Sequence, residues 1–180
     1  MKMILILFVL ITIAGGLCMA KEAEPVPREA KLPEMMMAGV AIVDSTETES
    51  YMKLWEEFFR INEQITEAIG DAYYGINFMT KNAEGKDAWG YMVATQVKSL
   101  DKLPEGLISR IIPACDYIVF EHHGPVEKVS KLYEYIYGTY SHNGKHKFLY
   151  ADSLERYDHR FKDGSEDSIM EIWIPVQSGK

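Results

Sequence analysis

Two stretches of this 180-residue chain read in the same order: strand, helix, strand, strand. In the first, residues 35–43 carry a strand pattern. Residues 51–69 then place Leu54, Trp55, Phe58, Ile61, Ile65 and Ala68 at three- and four-residue steps, as on one helical face, with Gly70 as the stop. Residues 73–79 and 89–97 follow as strands on either side of a turn-rich run at 81–87. In the second stretch, the strand at 115–121 ends in His122-His123-Gly124-Pro125. Proline is tolerated at a first helical position, so it opens a helix over 126–137, whose apolar face is Val126, Val129, Leu132, Tyr133, Ile136 and Tyr137. Strands at 148–157 and 169–176 close the chain, flanked by a loop at 141–147 and a polar turn at 159–167.

Two units of like order and size predict an α+β domain: duplicated β-α-β-β units with pseudo-twofold symmetry and an antiparallel sheet with two helices on one face, leaving room for a ligand cleft between the halves. The domain spans 33–180, with half-repeats at about 33–98 and 112–180 and a connection between them. With the helices on one face, the other face of the sheet is either solvated or the wall of a pocket.

The first twenty residues read as targeting rather than fold. Lys2 gives a short positive start, 3–14 is an almost unbroken apolar run, and 15–20 is small enough in part for cleavage after Ala20. The expectation is export to the periplasm or the exterior. An uncleaved segment would act as a membrane anchor, the one membrane contact expected. Leu17 stands before Cys18 where a lipid-modified cysteine would follow a small residue, which favours simple cleavage. Cys115 is then the one remaining cysteine, so no intramolecular disulfide forms. Residues 21–32 read as a polar linker.

Charge narrows the partners. The formal net charge is -8, and losing residues 1–20 removes one base and no acid. Such a chain lacks the basic footprint of a nucleic-acid binder. The adjacent His122 and His123 project to opposite faces of a strand and cannot readily chelate one ion. A hydrogen bond from histidine to the turn backbone fits better, and no metal or cofactor is expected. Met35, Met36 and Met37 are likewise split between two faces and read as pliable packing.

Pocket candidates are aromatic and acidic. Trp89 and Tyr91 alternate along one strand and Glu171 and Trp173 along the last, so each pair shares a side of the sheet. Glu155 and Tyr157 add an acid and a phenol. Each has a plainer reading: Trp89, Tyr91 and Trp173 as core residues, Glu171 at a solvent-facing edge, and Glu155 in a surface ion pair with its neighbours.

The set Tyr74-Gly75-Ile76, Trp89-Gly90-Tyr91, Ile112-Pro113-Ala114, Phe120-Glu121-His122-His123-Gly124-Pro125, Leu154-Glu155-Arg156-Tyr157 with Phe161, and Glu171-Ile172-Trp173-Ile174-Pro175 resembles the GyrI-like family of small-molecule-binding domains. That group includes effector-binding domains of AraC- and MerR-type multidrug regulators. The resemblance, over residue 32 to the end, implies a cavity that holds a bulky hydrophobic or cationic aromatic compound. A buried glutamate, matching Glu171, would hold it, with Glu155, Trp89, Tyr91, Tyr157 and Trp173 as neighbours. Regulators of this type place a helix-turn-helix domain first, where this sequence has a signal and a linker, so ligand binding without DNA binding is the expectation. Two alternatives accompany it. Some relatives resemble hydrolases of reactive cyclic compounds, with Glu171 as the acid or base; no Gly-x-Ser-x-Gly elbow is present and Cys115 lacks an evident partner. Haem-binding proteins of the SOUL type share a similar duplicated fold, but no histidine here sits in a convincing ligand setting.

Overall fold

The computed structural model describes residues 24–177 apart from 46 and 144. Residues 1–20, read as an export signal, lie outside the described residues. The elements are β1 (Arg28–Leu32), β2 (Met35–Val43), α1 (Thr48–Asn62), β3 (Ala68–Lys81), β4 (Asp87–Val97), β5 (Ile108–Ile112), β6 (Cys115–His123), α2 (Ser130–Glu134), α3 (Ser141–Asn143), β7 (Ser153–Tyr157) and β8 (Ile169–Val176). A 3₁₀ turn at Val126–Lys128 leads into α2, and a π-helical run at Tyr135–Tyr140 joins α2 to α3.

All eight described strands form one antiparallel sheet in the order β1-β6-β8-β7-β3-β4-β2-β5. The order is the same read outward from the β7–β3 seam in either direction once the halves are matched, which is the expected duplication. Its unit is longer than the sequence pattern indicated. Arg28–Leu32, read as linker, pairs with β6 of the other half, and β5, read as connection, pairs with β2. Each half thus lends its first strand to its partner.

Helical periodicity also overran its element. Helix α1 ends at Asn62, and Ile65 reaches the same core from the turn that follows. Gly70 does not stop the helix; it lies in β3 at positive φ, where the register with β4 shifts. At the other end, 148–152 is not strand: Phe148 makes a single bridge to Val176, and pairing with the sheet starts at Ser153.

Alternation along the strands explains the layers. Ala38, Val40, Val93 and Val97 meet Leu54, Phe58 and Ile61 of α1. Ile118, Phe120, Met170, Ile172 and Ile174 meet Leu132 of α2 and Ile136. Among the described residues the reverse face packs into a core of its own. The sheet curls, and Met35, Met37, Ile76, Met92, Val119, Leu154 and Trp173 bury one another there as a third core. Met36 points the other way, against the α1 layer, so the methionine run is split between faces. His122 is buried and its Nε2 donates to the Pro125 carbonyl at 2.9 Å, tying the turn, while His123 is exposed.

Candidate functional site

On the helix-bearing face, over the seam between β3 and β7, a cavity of about 720 Å³ lies between α1 and the second helical segment. That size suits a drug-sized molecule. The centre of its chemistry is Glu155. Tyr91 donates to Oε2 at 2.7 Å, Tyr157 to Oε2 at 3.0 Å and Tyr133 to Oε1 at 2.5 Å. Gly75 makes this possible. A Cβ there would stand 2.5 Å from Glu155 Oε2 and collide with the Tyr91 hydroxyl, so the pair occupies the space that a side chain would fill.

Every donor to Glu155 is a neutral hydroxyl, and no ion pair among the described residues includes it. Burial, reinforced by the Glu155 charge, pushes the phenols of Tyr91, Tyr133 and Tyr157 well above their ordinary range. They stay protonated as donors, so the hydrogen bonds around the Glu155 carboxyl come from neutral groups alone.

Aromatic rings build the walls. Tyr51 of α1 meets Tyr91 edge-on at 5.0 Å, and Tyr137 stacks on Tyr133 at 6.3 Å with their planes 4° apart. Trp89, 44% exposed, and Tyr150, 87% exposed, both line the cavity, as do Phe148 and Leu149. The irregular stretch before β7 thus forms a wall. Leu149 N–H bonds the Pro175 carbonyl at 2.9 Å, and Gln177 N–H bonds the Lys147 carbonyl at 2.9 Å.

Of the residues singled out from sequence, Trp89, Tyr91 and Glu155 come together in the cavity. Tyr157 supports Glu155 from beneath, packed on Trp55 at 5.1 Å and Phe161 at 4.9 Å. Glu171 and Trp173 do not join them. They project from the other side of β8, and the carboxylate of Glu171, 2% exposed, is fully engaged there. Arg28 and Arg160 donate to Oε1 at 2.7 and 2.8 Å, and Trp173 Nε1 and Arg156 to Oε2 at 2.9 and 3.2 Å. Burial pushes the Glu171 carboxyl up, but hydrogen bonds from Arg160, Arg28 and Trp173 outweigh it and hold the group below its ordinary value. Arg28 also lies 5.0 Å over the Trp173 ring. Arg156 pairs with Asp158 and Glu171 rather than with adjacent Glu155, because neighbours in a strand face opposite ways.

Sequence reasoning missed Tyr51, which lay outside the apolar face assigned to its helix, and Tyr133 and Tyr137, which helical spacing marked only as core, and it missed the role of Gly75. A tyrosine on an apolar helix face is a signal in itself, since a buried hydroxyl needs a partner.

A profile of the family described as GyrI-like small molecule binding domain matches residues 25–177. Among characterised proteins, the chain is 26% identical over 152 residues to the transcriptional regulator BrlR of Pseudomonas aeruginosa, covering 83% of this chain and 54% of that protein. It therefore spans about half of that relative's length. Among solved structures, SAV2435 bound to tetraphenylphosphonium superposes with a TM-score of 0.69 at 18% identity, over 85% of this chain and 94% of that one. The C-terminal domain of EcmrR superposes with a TM-score of 0.63 at 18% identity, over 86% and 99%. These likenesses extend across both halves and so support the duplicated fold.

Proposed function

The chain belongs to the GyrI-like small molecule binding domain family, and on that premise we propose that it binds a bulky hydrophobic or cationic aromatic compound in the cavity between its halves, with Glu155 as the counter-charge. One observation carries this reading: Glu155 is bound by three tyrosine hydroxyls and by no cation, at the base of an aromatic cavity. A carboxylate held only by neutral hydroxyls and paired with no cation is a site open to positive charge. An organic cation leaving water loses hydration. The carboxylate offsets that loss directly, and ring faces such as those of Trp89 and Tyr137 add cation–π contacts of about 0.5–2 kcal/mol each. Tyr91, Tyr133 and Tyr157 hold Glu155 in place, so little is lost in ordering the site when ligand arrives. Glu171 has no part in this, since its valences are filled by arginines on the other face.

Tetraphenylphosphonium, the compound bound to SAV2435, is a suitable probe, with triphenylphosphine oxide as a neutral aromatic counterpart. Calorimetric titration of the purified protein should show the cation binding more tightly than the neutral compound. Glu155→Gln should weaken the cation about 10- to 100-fold, as expected for one charge about 6 Å away at an effective dielectric near 20, and leave the neutral compound nearly unchanged. Equal binding of the cation by wild type and Glu155→Gln would refute the assignment.

A further inference from the structure

Two acidic residues line the cavity, and they are held differently. Glu155 is held by neutral donors. Asp152 is clamped by Arg110: Nε meets Oδ2 at 2.6 Å and Nη2 meets Oδ1 at 2.7 Å, a two-pronged pair. The clamp is well protected, with the side chains 28% and 13% exposed, and the guanidinium lies 4.0 Å over the ring of Phe78, another lining residue. Arg110 comes from β5, the strand this half lends to the other, so it reaches the cavity wall from outside and is not itself a lining residue.

The lining therefore carries two carboxylates, one of them cancelled. We propose that Arg110 sets the charge capacity of the site: by neutralising Asp152 it restricts the cavity to singly charged organic cations and discriminates against dications of the same shape. This rests on the reading of Glu155 as the counter-charge. A second positive charge entering the cavity would lose its hydration with no free carboxylate to meet it, and it would be repelled by the guanidinium behind the wall. Specificity of this kind comes from a repulsive element as much as from attraction. With Arg110 gone, Asp152 becomes a second counter-charge and the preference shifts.

The test uses a matched pair of cations, N-methyl-phenylpyridinium with one charge and N,N′-dimethyl-bipyridinium with two. Each is titrated calorimetrically into wild type, Arg110→Met, Asp152→Asn, the double variant and Arg110→Lys. Wild type should prefer the monocation by about ten-fold or more. Arg110→Met should improve the dication about 10- to 30-fold, the scale of one added charge about 8 Å away at an effective dielectric near 20. Asp152→Asn, which leaves the guanidinium unmatched, should weaken both cations, the dication more. The double variant should return the ratio towards wild type, and Arg110→Lys, which keeps the charge, should preserve it. If Arg110→Met melts below the assay temperature, the Asp152→Asn and Arg110→Lys ratios decide the matter. An unchanged mono-to-dication ratio in folded variants that still bind the monocation would overturn the role of Arg110. Failure of wild type to bind either cation would instead overturn the reading of Glu155.

Discussion

Replacing Glu171 by glutamine separates the two faces of the sheet. The carboxylate is 2% exposed and accepts from Arg28, Arg156, Arg160 and Trp173. Removing one partner of a buried ion pair costs about 3–5 kcal/mol. Here the arginine side chains keep 27–49% of their surface in water. Arg156 and Arg160 also retain Asp158 as an acidic partner. Partial resolvation brings the expected loss down to about 2–3 kcal/mol, which for a domain of this size lowers the melting temperature by about 5–10 °C. Tetraphenylphosphonium affinity should change by less than about two-fold, because Glu171 points away from the cavity. Thermal and urea denaturation, run beside calorimetric titration of wild type, Glu171→Gln and Glu155→Gln, should give opposite patterns for the two variants. If Glu171→Gln kept wild-type stability but lost the ligand, the assignment of Glu155 to the cavity and Glu171 to a structural network would be refuted.

Three further outcomes follow from the same geometry. Gly75→Ala should force Glu155 and Tyr91 apart, costing about 1–3 kcal/mol in urea denaturation as for other overpacked sites and weakening cation binding in the same titration. Burial pushes the Asp158 carboxyl up, but hydrogen bonds from Arg160 and the charge of Arg156 outweigh it and hold it at about 2, and Glu171 is lowered as well. A folded value below the unfolded one contributes stability that is present above the unfolded value, so urea midpoints should fall as pH drops from about 4 to about 2, and Asp158→Asn should flatten that slope. A chain shortened to residues 33–180 loses β1, baring the edge of β6 and removing Arg28 from Glu171; its melting point should drop by about 10 °C or more, and light scattering should show self-association through the open edge.

How far the sequence disclosed all this depends on where the information lies. The duplicated order, the helix faces and the turn at His122 are local patterns, and they were legible. The strands β1 and β5 were not, because both sit at sheet edges with mixed exposure and gain backbone hydrogen bonds without strict alternation of side chains. Glu171 drew attention through apolar neighbours in the chain, yet Ile172 and Ile174 face the other layer. Its actual partners include Arg28, 143 positions away. Glu155 was obscured by Arg156 and Asp158 beside it, which period-two alternation separates or directs elsewhere. Its clearest mark was Tyr157 two residues on and therefore on the same face. The cavity wall at 148–152 read as strand because Phe148, Leu149 and Tyr150 have strand composition; the bridge to Val176 and the hydrogen bond from Leu149 to Pro175 show how they are used.

On the proposed reading, the duplication explains why the acid stands on one side of the seam and not on both. In the β3–β7 pairing, Gly75 stands opposite Glu155 at the middle of the five registered pairs, where a twofold axis between the halves would pass. Under that axis the two residues are equivalents. Identical residues there would fail in either direction: two carboxylates at adjacent strand positions repel each other, and two glycines leave no charge. The halves have instead diverged at the axis, one supplying the acid and the other the room for it. The remaining parts divide likewise: Tyr91 comes from the first half, and Tyr133 and Tyr157 from the second. Neither half holds a complete site. The carboxylate is organised only when the seam is closed, so occupancy of the cavity and integrity of the β3–β7 pairing should stabilise each other, and a cation that binds the folded state should raise the free energy of separating the halves. Hydrogen exchange at the β3 and β7 amides that bond across the seam would report this directly. Tetraphenylphosphonium should slow them in wild type and not in Glu155→Gln. Protection confined to the helices α1 and α2, with the seam unaffected, would show that ligand and pairing are independent.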